Sequence, residues 1–310
     1  MRNFLPTERF LIRFIRSNTA ATPGAGGIMH NFEKTFLKRK SRVIPGFGLS
    51  IGITVTMLSL VVLIPLFSVF LLLSDSTFSD FLRVITDKQT IAAYQVSLSC
   101  SAIAAVVNVV FGILLAWILT RYQFPMRRIL DGLIELPLAL PTAVAGIALT
   151  TLYSEQGWIG RWFAKIGVKI SYSKTGIVIA MIFIGIPLVV RSVQPVLEKL
   201  DPQYEEAAQV LGASRSRTFF KVVLPEILPA ALTGFGLAFA KSIGEYGSVV
   251  FIAGNIPYET QIVPLIIMNK LEQFNYPAAT AIAFVMVVFA FLLLFGINLI
   301  QAHIQKIARG

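Results

Sequence analysis

Lys241 and Glu245 stand four residues apart in an otherwise apolar stretch, Phe239-Ala240-Lys241-Ser242-Ile243-Gly244-Glu245-Tyr246-Gly247-Ser248. On a helix that spacing puts both side chains on one face. Ionisable groups at membrane depth are costly, and they face a cavity or each other. Two readings therefore stand side by side. Lys241, Glu245 and Tyr246 line a pathway or gate in which the ammonium attracts an anion, or the Lys–Glu pair satisfies itself and locks helices together. A second stretch, Glu135-Leu136-Pro137-Leu138-Ala139-Leu140-Pro141-Thr142, carries two prolines four apart. They free backbone groups and kink a helix. Pro137, Pro141 and Thr142 either contribute to the same path or mark a packing kink.

Other chemistry is missing. The chain has no G-x-x-x-x-G-K-[ST] phosphate loop. Its two histidines, His30 and His303, lie near the ends, and its one cysteine, Cys100, sits in an apolar run. Neither a metal-ligand cluster nor a nucleophile–base motif can be assembled from them. The sequence thus predicts no catalytic residue, no metal site and no bound cofactor, and any ATP and Mg would be handled by other chains.

The elements that would position these residues are membrane spans. Of 310 residues 55% are hydrophobic and 14% charged, against about a quarter charged in a soluble domain. Too few charges remain to coat a soluble core. A bilayer needs about 20 apolar helical residues per crossing, and six such runs are present, at about 49–73, 96–119, 133–152, 176–190, 230–253 and 278–300. The expected fold is an all-α membrane protein of six transmembrane helices, with a membrane domain over 46–303 behind a basic arm, 1–45.

Charge sets the expected orientation. The net charge is +11, and the basic residues gather at the edges of apolar runs, as topology signals do, not on one face as nucleic-acid binders require. Lys34, Lys38, Arg39, Lys40 and Arg42 precede the first span, Arg121, Arg127 and Arg128 follow the second, and Lys306 and Arg309 lie in the tail. Both termini are expected in the cytoplasm. One loop departs from the rule: Arg161, Lys165, Lys169 and Lys174 face Glu155 alone on the expected outside. It is either an exception to a statistical rule or a positive entry surface that attracts anions. Residues 1–28 lack the apolar core of a secretory signal peptide. They read either as an Arg-rich, transit-like start or as a frame extended upstream of a start at Met29, and they are left out of the fold argument.

The long inside loop, 199–228, carries balanced charge. Asp201-Pro202 suits a helix start. Tyr204 to Leu211 is a good helix former, Gly212 suits a left-handed turn, and Arg215 to Val223 reads as a second short helix ending near Leu224-Pro225. Ala207, Val210 and Leu211 recur at helical spacing and would make a packing face for another protein.

Glu206-Ala207-Ala208, Gly212 four residues on, and Val222-Val223-Leu224-Pro225 resemble the EAA loop of ABC importer permeases, with Val222 where isoleucine is usual. The segments Leu140–Leu149, Ile243–Asn255 and Ile262–Ala283 are similar to the sulfate/thiosulfate permease branch, T-type subunit, over roughly 45–300. The resemblance implies a type I importer permease fold. It implies a coupling helix in which Glu206, Ala207, Ala208, Gly212, Leu224 and Pro225 engage an ATPase subunit, Glu206 pairing with a basic residue there. It also implies partners: a homologous W-type permease, two ATP-binding subunits and an extracytoplasmic sulfate-binding protein, in membrane lipid and without nucleic acid. The host would be a bacterial plasma (inner) membrane or a plastid envelope. Molybdate or tungstate permeases share the loop and are the alternative. An ATP-independent secondary anion transporter is the alternative of another class.

Overall fold

In a computed structural model, residues 47–74 and 77–308 are described. The arm 1–45 and the question of its first 28 residues lie outside them. All the regular structure described is helical. Five helices are long and apolar enough to cross a membrane, or six if one bent pair counts as a span.

The contact pattern divides the chain at Pro65. Helix α1, Phe47–Leu73, has an apolar window with no buried residue, a surface suited to lipid on all sides.

In the second unit, α2 is Phe78–Ile85 and α3 is Lys88–Arg121. Asp87 caps α3, its carboxylate accepting from the Gln89 and Thr90 amides at 3.1 and 3.4 Å. The buried face of α3 is made largely of small residues, Ala93, Ser97, Ala104, Ala105, Gly112 and Ala116, which let helix backbones approach closely without a hydrophobic drive from water. Against it packs α7, Lys174–Lys199, capped by Ser173. Both are joined by α9, Arg215–Ile243. Leu119, Val189, Val193, Leu197 and Ile227 form one cluster of this three-helix core. The last helix, α12, Tyr276–Ala308, packs on α9 and on α11, Val263–Glu272.

Two expected spans are built differently. The third is not one kinked helix over 133–152. It consists of α4, Arg127–Ala139, and α5, Thr142–Tyr153, bent by 109°. Pro137 is accommodated inside α4. The break is at Leu140, which stands before Pro141 and is pushed to extended backbone (ψ 140°), as a pre-proline residue is.

The fifth expected span, 230–253, begins earlier and ends sooner. α9 starts at Arg215 and closes at Gly244, and a separate turn, α10, covers Val249–Ala253. Leu224-Pro225 does not end a short helix. A π turn over Ser-free residues Phe219–Val223, with the Leu224 amide donating to the Phe219 oxygen, carries the helix through. The wider turn gives room where proline would otherwise crowd the carbonyl four residues back.

Candidate functional site

Two places gather the residues singled out by chemistry. The first is the hairpin of α8, Gln203–Val210, and the start of α9. Asp201 accepts from the Gln203 amide at 3.0 Å, and Glu205 and Glu206 complement the dipole of the first turn. Gly212 takes φ +81°, a left-handed conformation that costs glycine nothing. Ser214 then caps α9 through the Arg217 amide. Glu206 is exposed and makes no ion pair among the described residues. Val210 and Leu211 are 87% and 88% exposed. Ala207 is exposed and Ala208 half-buried.

Sequence reasoning missed what fixes this hairpin. The Arg121 guanidinium donates to the Glu205 carboxylate, the shorter contact being 2.8 Å, and to the Leu200 oxygen at 3.1 Å. It also lies 5.8 Å from the centre of the Trp117 ring. Phe219 closes the other edge of Trp117. Adjacent glutamates therefore have opposite situations: Glu205 is tied to α3, and Glu206 is left free. Nothing in the spacing of residues 84 apart announces that pair.

The second place is the junction where α9 ends and α5 begins. Lys241 lies in the last turn of α9, and Glu245 lies beyond the closing Gly244, so they do not share a helix face as the sequence suggested. They meet nonetheless, Nζ to Oε2 at 3.1 Å. Lys241 is 44% exposed and Glu245 2%. The other carboxylate oxygen of Glu245 accepts from the Ser248 amide and hydroxyl at 3.1 and 3.2 Å. This short turn lies directly on α5. A Cβ at Gly146 would come 2.8 Å from the Ser248 Cα, and one at Gly247 would meet the Thr142 hydroxyl. Pro141 gives α5 no side-chain cap; the Val144 amide donates to the Pro141 oxygen at 2.9 Å, which leaves the Thr142 and Ala143 amides of the first turn without an intrahelical acceptor. Tyr246 is exposed beside an apolar cavity of about 330 Å³ lined by Ile243, Pro264, Met268 and Met286. Pro141, Thr142, Lys241, Glu245 and Tyr246 thus belong to two segments in contact. Pro137 is buried within α4, before the bend.

Residues 108–309 match the model of a family described as binding-protein-dependent transport system inner membrane component. The chain belongs to this family. It is a multi-pass membrane permease of the ABC importer type. The permease is 49% identical over 271 residues to the sulfate transport system permease protein CysT of Escherichia coli (strain K12), covering 87% of this chain and 98% of that one. It is 43% identical over 249 residues to the sulfate transport system permease protein CysT of Synechocystis, covering 80% and 87%. Among solved structures, it is similar to a bacterial ABC transporter involved in alginate import, with a TM-score of 0.70, 18% identity, and 83% and 96% of the two chains covered. That likeness speaks to the fold.

A third cluster in the permease holds the first half of the broken span. Arg191 of α7 binds Asp131 at 2.8 Å and Glu135 at 2.7 Å, both on α4, and donates to Gln194 at 2.7 Å. Gln194 in turn donates to Glu198 at 3.1 Å. Sequence analysis did not single out Arg191. The i,i+4 spacing of Asp131 and Glu135 was the available signal that one cation could bridge both.

Proposed function

We propose that the permease is the T-type membrane subunit of an ATP-driven importer of sulfate or thiosulfate. The observation that carries the coupling part is the exposed hairpin. Glu206, Val210 and Leu211 stand free on the α8 side of a hairpin whose Gly212 turn leads into α9, and α9 carries Lys241 in its last turn. A protein surface that leaves two aliphatic side chains so exposed fits a docking groove. The cargo is supported by the relatives, which are named as sulfate permeases.

In this reading two ATP-binding subunits dock on the hairpin and hydrolyse Mg-ATP. A homologous W-type permease completes the membrane pair, and an extracytoplasmic binding protein delivers the anion. The setting is the inner membrane of a bacterium, with both termini in the cytoplasm. Glu206, Ala207 and Ala208 form the docking face. Gly212 sets its turn, and Leu224 and Pro225 belong to the continuous segment that passes motion inward.

At the junction, Lys241 supplies a positive charge and α5 supplies free amides. Glu245 counters part of that charge. The result is a weak anion path, which suits a conduit that must release what it carries. Selectivity then falls mainly to the binding protein.

The test is uptake of labelled sulfate by cells with and without the gene, competed by unlabelled thiosulfate and molybdate. Loss of sulfate uptake on deletion, with thiosulfate competing well and molybdate poorly, is the expected result. Intact sulfate uptake with lost molybdate uptake would change the cargo. Uptake that persists when no ATPase subunit co-purifies would replace the ATP-driven reading with a secondary anion transporter.

A further inference from the structure

The segment between α5 and α7 has a surface to which the transport path proposed above assigns no role. Trp158, Trp162 and Ile166 are 79%, 60% and 72% exposed. Arg161, Lys165 and Lys169 are exposed among them. The Lys165 ammonium lies 4.5 Å, and the Arg161 guanidinium 5.9 Å, from the Trp162 ring centre, and Lys169 lies 6.0 Å from that of Tyr172. The short helix α6, Gly160–Lys165, carries the centre of this surface.

Backbone bonds fix the level at which it sits. The Ile159 amide donates to the Leu152 oxygen at 3.2 Å, and the Gly157 amide to the Ser154 oxygen at 2.9 Å. The chain therefore folds back onto the last turn of α5 as it leaves it. Gly157 and Gly160 make the turn fit: a Cβ at the first would strike the Thr151 and Leu152 oxygens, and one at the second the Tyr153 and Ser154 oxygens. On the return side, the Ser171 hydroxyl donates to the Thr150 oxygen at 3.2 Å. Both ends are tied within the last turn of α5, so the tryptophans stay near the level where that helix ends. The candidate span α7 begins at Lys174, directly after this segment, and the end of a span is where tryptophan settles and where lysine and arginine extend their heads to the phosphates.

We propose that residues 157–169 form a binding surface for anionic phospholipid headgroups of the leaflet at which α5 ends. Trp158, Trp162 and Ile166 enter the headgroup–acyl boundary, and Arg161, Lys165 and Lys169 pair with phosphates. A cavity of about 260 Å³ opens beside Lys169, lined by Ser154, Glu155, Gln156 and Ser171. Its hydroxyl, amide and carboxylate groups suit a hydroxylated headgroup such as glycerol, hung from a phosphate on Lys169.

The test uses the full-length permease with its partner subunits in lipid nanodiscs, reading quenching of tryptophan fluorescence by brominated lipid. At equal mole fraction, brominated phosphatidylglycerol is expected to quench more strongly than brominated phosphatidylcholine. The triple variant Arg161→Gln, Lys165→Gln, Lys169→Gln is expected to reduce the relative affinity for phosphatidylglycerol about tenfold and to keep the phosphatidylcholine quenching. Replacing Trp158 and Trp162 by serine is expected to remove the lipid-selective part of the quenching, leaving that of Trp117 and of the partner subunits. Equal quenching by both lipids in the unmodified protein would overturn the proposal, reducing the surface to an aromatic belt without headgroup preference. So would tryptophans that become shielded only when the binding protein is added, or a triple variant that keeps its lipid preference while its anion uptake loses salt dependence.

Discussion

Arg121, at the end of α3, holds Glu205, in the first turn of α8, at 2.8 Å, with 16% of each side chain exposed. The pair fixes the α8–α9 hairpin, proposed above as the ATPase docking site, to the three-helix core while the neighbouring Glu206 faces outward. Glu205→Gln or Arg121→Ala is expected to cost roughly 2 kcal/mol, between the limits for exposed and fully buried pairs. The cost should fall locally, as faster proteolysis within 200–215 in membranes that still contain the protein. The charge-reversed pair Arg121→Glu with Glu205→Arg should recover part of the protection. Unchanged proteolysis in both single variants would show that the pair does not hold the hairpin.

Glu206→Ala and the double variant Val210→Ser with Leu211→Ser act on exposed side chains. Their effect on the stability of the isolated permease should stay within about 0.5 kcal/mol, while co-purification of the ATPase subunit drops sharply. Gly212→Leu should add about 1–2 kcal/mol of backbone strain at φ +81°. A normal ATPase yield from the Val210 and Leu211 double variant would remove them from the docking face.

At the junction, Lys241→Arg should keep anion uptake and Lys241→Ala should reduce it severalfold, measured against the amount of protein in the membrane. Glu245 would keep its two Ser248 contacts in either variant, so the fold should survive. Full uptake by Lys241→Ala at normal membrane levels would leave the pair a helix lock and nothing more.

Gly185 and Asn108 form a size-matched pair between α7 and α3. A Cβ at Gly185 would strike the Asn108 amide nitrogen, and Asn108 is fully buried with neither side-chain atom hydrogen-bonded to protein. Gly185→Ala should destabilise the permease by about 1–3 kcal/mol. Asn108→Ala in the same chain should restore thermal stability, because the remaining neighbour, the Ala238 Cβ, lies at 3.4 Å. A double variant no more stable than Gly185→Ala alone would contradict the packing argument.

The spans were legible wherever an apolar run is long and unbroken, because lipid leaves a backbone few structures other than a helix. That logic located α1, α3, α7 and α12. It stopped short at prolines, which announce a disturbance and not its form. Pro137 is absorbed, Pro141 turns the chain through 109°, and Pro225 is passed by a π turn. Gly212 was readable because a left-handed residue between two helix formers has one inexpensive solution. The pairs Arg121–Glu205 and Arg191–Asp131 were not readable, since each depends on which helices become neighbours.

The unbroken run of α9 gives the permease a mechanical character. From Arg215 to Ile243 it measures roughly 43 Å at the usual rise per residue, with the α8 hairpin at one end and Lys241 in the final turn at the other. With no loop between them to absorb slack, the helix would work as a push-rod on the proposed docking reading. A tilt or torque applied at Arg215 arrives at Lys241 as a displacement of the charge itself. The π turn at Phe219–Val223 and the proline inside the helix at Pro229 are places along the rod where the winding can set how much of that twist is delivered.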